Sequence, residues 1–394
     1  MRLVGTTVRG IRTPIIKEND DLASIVVDSV INASKSEGFN FKDKDIIAIT
    51  EAVVGISEGN YATVDNIVSD LNAKFPSKKI GIVYPILSRN RFSMILKAIA
   101  RAMDKVTILL SFPSDEVGNG IMDENLLSAS PFNLGSLISE EDYEKYFGTF
   151  IHPFTGINMV DYYRDLVKSE NCDVEFVFSN NPSDILKYTN NVLTCDIHSR
   201  FKTKKALSEQ GAFVLTLSDI LNESVGGSGF NPDYGLLGSN KSTDERLKLF
   251  PKDGASLVLK IKDEMFKRTG KNFEVMVYGD GAFKDPVGGI WELADPVVSP
   301  FYTEGLKGTP NEIKLKYVSD NMFADLRGDE LKDAIKEEIK KKDNDLKGQN
   351  VSLGTTPRRI TDLVGSLCDL TSGSGDKGTP VVLVQGYFDN LADE

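Results

Sequence analysis

Lys79-Ile-Gly-Ile-Val-Tyr84, then Phe92 to Met103, then Val106-Thr-Ile-Leu-Leu-Ser-Phe112: this succession decides the fold class. The first and third runs are short, apolar and β-branched, as buried strands are. The middle run predicts an amphipathic helix. The alternation resumes downstream with a strand at Val174-Glu-Phe-Val-Phe178, a helix near Ser183–Asn190 and a strand from Val192 to Cys195. A helix over Lys202–Gln210 and a strand from Ala212 to Leu217 follow. Strands and helices in regular alternation imply a mostly parallel sheet covered by helices. Between its two halves, residues 113–150 are acidic and Ser/Gly-rich and read as a mobile excursion.

Outward from this block the texture differs. Residues 1–75 predict a strand at Val4 to Val8, a helix from Asp20-Asp21 through Ser36 and a buried strand from Asp45 to Thr50. Asp21 suits a helix start because carboxylates cap free N–H groups and face the positive dipole end. Gly226-Gly-Ser-Gly229 reads as a flexible hinge and a boundary. Beyond it come a helix over Gly254–Thr269, charged helices over 311–346, a helix over Pro357–Leu370 and the strand Val381-Val-Leu-Val384. Phe273-Glu-Val-Met-Val-Tyr-Gly-Asp-Gly-Ala-Phe283 is a strand that stops at a Gly-flanked carboxylate, Asp280. Carboxyl ends of strands are where ligands and divalent metals collect in α/β sheets, although an Asp-Gly turn explains the same residues.

Composition bounds the function. The 394 residues allow two or three domains. A formal charge of −12 argues against a nucleic-acid partner, which calls for a basic face. The basic run Lys332 to Lys347 is interleaved with Asp333, Glu337, Glu338, Asp343 and Asp345 and reads as a solvated helix. Three widely spaced cysteines, Cys172, Cys195 and Cys368, suggest a reducing compartment and no zinc or disulfide framework. With no apolar leader at the N-terminus and no run long enough to span a bilayer, the expectation is a cytoplasmic protein without membrane association.

Several loops carry candidate chemistry. Pro85-Ile-Leu-Ser-Arg-Asn-Arg91 joins a strand to a helix, where Arg89 and Arg91 could grip a phosphate or carboxylate; salt bridges within an acidic protein explain them equally. Cys195-Asp-Ile-His198 also ends a strand, and Asp196 with His198 could form a metal or acid–base pair, or merely pack. Cys195 as a nucleophile rests on the same proximity. The Gly-rich loop 371–380 could cradle phosphate with backbone N–H groups, but it lacks a Walker pattern and alone would be a turn.

The two ends of the chain resemble the coenzyme F-420 γ-glutamyl ligase family, enzymes that add glutamate to a deazaflavin through an amide bond. The resemblance lies in order and spacing. It runs through Arg9-Gly-Ile-Arg-Thr-Pro14, Asn19-Asp-Asp-Leu22 and Ser57-Glu-Gly59. It continues with Tyr234-Gly-Leu-Leu-Gly-Ser-Asn240, Leu249-Phe-Pro-Lys-Asp-Gly-Ala-Ser256, Val277-Tyr-Gly-Asp-Gly281 and the segment from Gly373 to Gly386. It implies an α+β core of ligase type, residues 1–75 plus 226–394, carrying an inserted mostly parallel α/β domain, 76–225.

The resemblance further implies a homodimeric ligase with GTP as cosubstrate and divalent metal, Mn or Mg. Such an enzyme activates a carboxylate as an acyl phosphate, which the glutamate amine attacks. Asp280 falls on a metal carboxylate. Ile11, Arg12, Thr13, Pro14 and Asn240 fall on nucleotide contacts, and Ser372, Gly373 and Ser374 on the cofactor-binding loop. Arg89, Arg91, Asp196 and His198 would then serve a small carboxylate substrate, whether deazaflavin, folate-like or other. Other positions depart from the pattern. Leu237 stands where the family has a second metal Asp, Gly281 where it has a hydroxyl ligand, Ile56 where it has Lys, and Ser374 where it has an acid. Asp233, Asp376 or Glu51 could substitute. These departures admit a second reading, a degenerate relative that binds an anionic metabolite or partner without ligation.

Overall fold

The computed structural model describes residues 3–153, 155–279, 282–284, 291–293, 298–354, 358–372 and 375–393, with the backbone alone for 282–284 and 291–293. Its strands are β1 (Thr7–Ile11), β2 (Ile46–Thr50), β3 (Tyr61–Thr63), β4 (Lys79–Val83), β5 (Lys105–Leu110), β6 (Ile138–Ser139), β7 (Asp173–Phe178) and β8 (Asn191–Thr194). There follow β9 (Phe213–Thr216), β10 (Asn240–Thr243), β11 (Arg246–Lys248), β12 (Glu274–Tyr278), β13 (Ala282–Lys284), β14 (Trp291–Leu293), β15 (Phe301–Tyr302) and β16 (Val381–Gln385).

The run from Lys79 to Phe112 contributes β4 and β5 to a six-stranded sheet of order β6-β7-β5-β4-β8-β9. Five neighbours run parallel, and the short β6 joins antiparallel at the edge. The central strands β4, β5 and β8 are Val/Ile/Leu-rich and almost wholly buried, as a helix-covered parallel sheet requires. The chain goes from β4 to β5 and β7 on one side and then crosses back to β8 and β9 on the other. The gap between β4 and β8 is therefore a topological switch point, where such sheets open a crevice beyond their carboxyl ends. Gly81 in β4 permits a close crossing: a β-carbon there would sit 2.4 Å from Ile185 of the 3-10 turn Pro182–Lys187.

A second, mixed sheet has the order β1-β16-β2-β12-β15. Alternate residues of its strands enter two separate cores, the expected consequence of a two-residue side-chain period. Ile47, Ile49, Val275, Val277 and Leu383 meet the helices Leu22–Glu37 and Gly254–Thr269 on one face. Ile46, Ala48, Met276, Val382 and Val384 meet the helix Ile360–Thr371 on the other. Asp21 caps the first of these helices, accepting from the Ser24 N–H at 3.3 Å, and Gly38 ends it with a left-handed φ of 70°. The short strands β10, β11 and β3 make a third sheet, and β13 with β14 a hairpin.

The architecture is α/β, as the alternation predicts. Residues on both flanks of the six-stranded sheet share its apolar core, among them Ile67 and Leu71 of the helix Val64–Lys74 and Leu236, Leu237 and Leu247 further on.

Three expectations need correction. Residues 113–150, read from composition as a mobile excursion, contain regular structure, β6 and the helices Glu124–Ala129 and Glu140–Phe147. Tyr143 stacks on Phe178 of β7 with ring centroids 4.1 Å apart, so aromatic burial outweighs the acidic composition there. The helix expected near Ser183–Asn190 is the shorter 3-10 turn already named. Gly226-Gly-Ser-Gly229 is a pinned turn rather than a hinge, because the Gly229 N–H donates to the Tyr61 carbonyl at 2.7 Å.

Candidate functional site

Strand register places one end of the mixed sheet as a continuous rim. Ile11 faces Val381, Val381 faces Ile49, and Thr50 faces Tyr278. Hence the carboxyl ends of β1, β2 and β12 and the start of β16 lie side by side. The loop 11–14 and the segment leading into β16 leave from this rim together and are joined there. The Thr13 N–H donates to the Gly378 carbonyl at 3.3 Å, and the Thr50 N–H to the Pro380 carbonyl at 3.0 Å. Gly10 allows this approach, since a β-carbon there would meet Thr379 at 3.1 Å.

The structure thus unites Ile11, Arg12, Thr13 and Pro14 with Ser372 and the residues before β16. Arg12 and Pro14 are exposed, as are Asp376 and Lys377 across the junction. Ser372 is buried instead. Its hydroxyl bonds to the Thr379 carbonyl, lies 3.1 Å from the Thr379 hydroxyl and bonds to Tyr278, so it ties the loop down internally. Burial raises the Tyr278 phenol well above its usual range, which keeps it a neutral hydrogen-bonding partner. Glu51 follows Thr50 and is buried at the start of the helix Glu51–Ser57. Asp280, Gly281, Gly373 and Ser374 lie outside the described residues. Gly279, immediately before Asp280, is fixed by its N–H to the Val298 carbonyl at 2.7 Å.

The segment 234–240 lies elsewhere. Asn231 anchors it, donating to the Pro251 carbonyl at 2.9 Å and accepting from the Asp233 and Tyr234 N–H groups. Leu236 and Leu237 then turn into the six-stranded sheet. With Phe92, Ile95, Cys195, Ile197 and Leu217 they surround a cavity of about 20 Å³ at the β4/β8 crevice. Leu237 is only 2 % exposed. Asn240 opens β10 opposite Lys248, and the Lys248 side chain covers Gly55 of the helix Glu51–Ser57.

Arg89, Arg91, Asp196 and His198 share one location, the turns after β4 and β8. Arg91 lines the small cavity and Arg89 is exposed beside it. Asp196 and His198 do not form a pair. Asp196 is 1 % exposed and bonds to the Ser199 and Thr203 hydroxyls, both at 2.7 Å, whereas His198 is on the surface. Cys195 is buried with its thiol pushed far upward by burial, which removes the nucleophile reading. Sequence reasoning missed Tyr84, Glu116, Arg200 and Ser239 at the same crevice. No local pattern marks them; they come together through tertiary contacts alone.

A family model described as F420-0:Gamma-glutamyl ligase matches residues 10–386. The chain belongs to the F420-0:gamma-glutamyl ligase family. No curated protein matches it. The match runs across the six-stranded sheet as well as the two ends.

Asp280, where the resemblance puts a metal carboxylate, lies outside the described residues. Among them no three His, Cys, Asp or Glu side chains gather around a common point. Leu237, where the resemblance puts a second metal Asp, is enclosed by apolar side chains. A further feature of this family member is a cavity of about 470 Å³ lined by Asp20, Asp21, Glu58, Asp253 and Lys260. Glu58, from the Ser57-Glu-Gly59 segment, accepts from the Lys252 and Asp253 N–H groups at 2.9 and 3.0 Å. Burial raises its pKa against those bonds. No helix among the described residues is long and apolar enough to cross a membrane.

Proposed function

We propose that this chain is an amide-bond ligase that attaches an amino acid, such as L-glutamate, to a small carboxylate-bearing acceptor at the expense of a purine nucleotide, GTP in the first instance. The observation that carries the reading is the rim. A chain of γ-glutamyl ligase family has its 11–14 loop and its Gly-rich 375–380 loop hydrogen-bonded together where β1, β2 and β12 end. Exposed Arg12 and Lys377 with nearby backbone N–H groups suit the phosphates of a nucleotide.

In the proposed reaction an acceptor carboxylate oxygen attacks the terminal phosphorus and the nucleoside diphosphate leaves. The amine of the amino acid then attacks the acyl carbon. A C–N bond forms, the C–O bond to phosphate breaks, and the amine proton is lost to solvent. Ser372, Tyr278 and Thr379 hold the loop in place. Divalent metal, Mn or Mg, belongs to the proposal only through Asp280. We also assign residues 1–75 plus 226–394 to the ligase core and 76–225 to an inserted domain, and we take the active form as a homodimer. The loops of the insert that carry Arg89 and Arg91 would face the acceptor.

The test is the nucleotide-dependent release of phosphate from the full chain with L-glutamate and a panel of carboxylate acceptors. Mass spectrometry then looks for the gain of one glutamyl residue. A product that requires both nucleotide and glutamate supports the reading. A second reading is favoured by buried Leu237: a relative that binds an anionic metabolite or partner without turnover. It predicts nucleotide or metabolite binding with no glutamate-dependent phosphate release.

A further inference from the structure

Glu116, in the loop after β5, places its carboxylate against the turn after β8. It accepts from the N–H groups of Ile197 at 2.6 Å, His198 at 3.0 Å and Ser199 at 2.9 Å, and from the Ser199 hydroxyl at 3.0 Å. These donors precede the helix Arg200–Ser208 and form an oxyanion nest at its N-terminus. The neighbouring Asp115 accepts from the Leu87 N–H at 2.8 Å in the turn after β4. One loop therefore fills both turns of the switch-point crevice with its own carboxylates.

The filled crevice leaves hydrogen-bonding groups unsatisfied. Asp196 Oδ1, the Tyr84 hydroxyl, Arg200 Nε and the Ser239 hydroxyl are buried without a partner. Asp196 faces the nest: its other oxygen shares the Ser199 hydroxyl, at 2.7 Å, with Glu116. One hydroxyl proton cannot serve both acids at once, and burial raises the Asp196 pKa above the ordinary carboxylate value. Ser239 lines the adjoining cavity, between the 234–240 loop and the sheet. Tyr84 holds a left-handed φ of 53° at the end of β4, a conformation that a non-glycine residue adopts at a cost.

We propose that the β4/β8 crevice binds a small phosphate-bearing metabolite, whose phosphate replaces the Glu116 carboxylate in the nest at Ile197–Ser199. Three of the four donors converge on a single Glu116 oxygen, whereas three phosphate oxygens would share them. Arg200, next in sequence, supplies a cation, and a ligand hydroxyl beside the phosphate meets Asp196 Oδ1 and the Tyr84 hydroxyl. Glu116 is then an internal competitor that keeps the nest occupied until the ligand displaces it. The site stands on this geometry; it lies at the turns after β4 and β8, where the ligase reading places the acceptor, and its test does not depend on ligase turnover.

The probe is inorganic phosphate, titrated into the full chain by calorimetry and by the backbone amide shifts of Ile197, His198 and Ser199. Glu116→Ala should bind phosphate about tenfold more tightly than wild type or better, with the shifts centred on those three amides. Glu116→Gln, isosteric and uncharged, should show a smaller gain in the same place. Folded variants that bind phosphate no more tightly than wild type, or whose shifts fall on the 11–14 loop instead, would overturn the proposal. If Glu116→Ala does not fold, Glu116→Gln decides by its gain or by the lack of one.

Discussion

The Thr13 N–H donates to the Gly378 carbonyl at 3.3 Å, joining the first strand's exit to the loop before the last strand. Gly378 holds a φ of 65°, and nothing stands within 4 Å of where its β-carbon would be. Gly378→Val therefore acts through backbone strain alone. It should cost about 1–2 kcal/mol of stability and weaken nucleotide binding by moving the carbonyl that holds Thr13. Thermal unfolding with and without nucleotide measures both effects. Unchanged nucleotide binding would detach this loop from the site.

Leu237 decides between a lost metal ligand and a packing residue. Leu237→Ala should destabilise by about 2–5 kcal/mol. Leu237→Asp should cost more, because it buries a carboxyl in a mostly apolar cavity lined by Phe92, Ile95 and Leu217. Denaturant unfolding gives both values. A stable Leu237→Asp protein that gains metal-dependent activity would contradict the burial described above.

Asp196 makes a pH prediction with a definite sign. Burial raises its folded pKa above the ordinary 3.8, so the folded chain holds an extra proton between the two values. Stability contributed by the protonated form is complete below the unfolded value and is lost as pH rises through the folded one. Asparagine mimics the protonated side chain. Asp196→Asn should thus gain on wild type as pH rises above the ordinary 3.8, measured by unfolding at each pH. A stability difference that does not vary with pH would mean the carboxyl is ionised throughout.

The cysteines should be inert. Cys172, Cys195 and Cys368 are buried, and burial pushes the Cys172 thiol up to about 11 and the other two further. A thiol reagent should label the native chain only as fast as the protein opens, and Cys195→Ala should leave any activity intact. Rapid labelling at neutral pH would reopen the nucleophile reading.

Much of the fold was legible because its information is local. The helix Gly254–Thr269 and the strand from Val381 follow directly from apolar periodicity, and most strand–helix alternation falls within a few residues of its expected bounds. The 113–150 segment was misread because its acids dominate composition while a few aromatics, Tyr143 foremost, decide its packing. The rim was half legible: the 11–14 and 371–380 loops were singled out separately, but their hydrogen bond is a property of register. Leu237 looked like a decayed ligand, and only the tertiary structure gives the position its apolar neighbours. Glu116 carried no signal, since its partners lie in a turn distant in sequence.

The ligase reading is tested most directly by nucleotide binding at the rim. Thermal unfolding of wild type, Arg12→Ala and Asp280→Asn, with GTP, GDP or ATP and with Mg²⁺ or Mn²⁺, is the measurement. At about 100 times its dissociation constant a bound nucleotide adds about 2.7 kcal/mol, a shift of several degrees at most. The account predicts a guanine-nucleotide shift in wild type that falls in both variants. No shift with any nucleotide would contradict it.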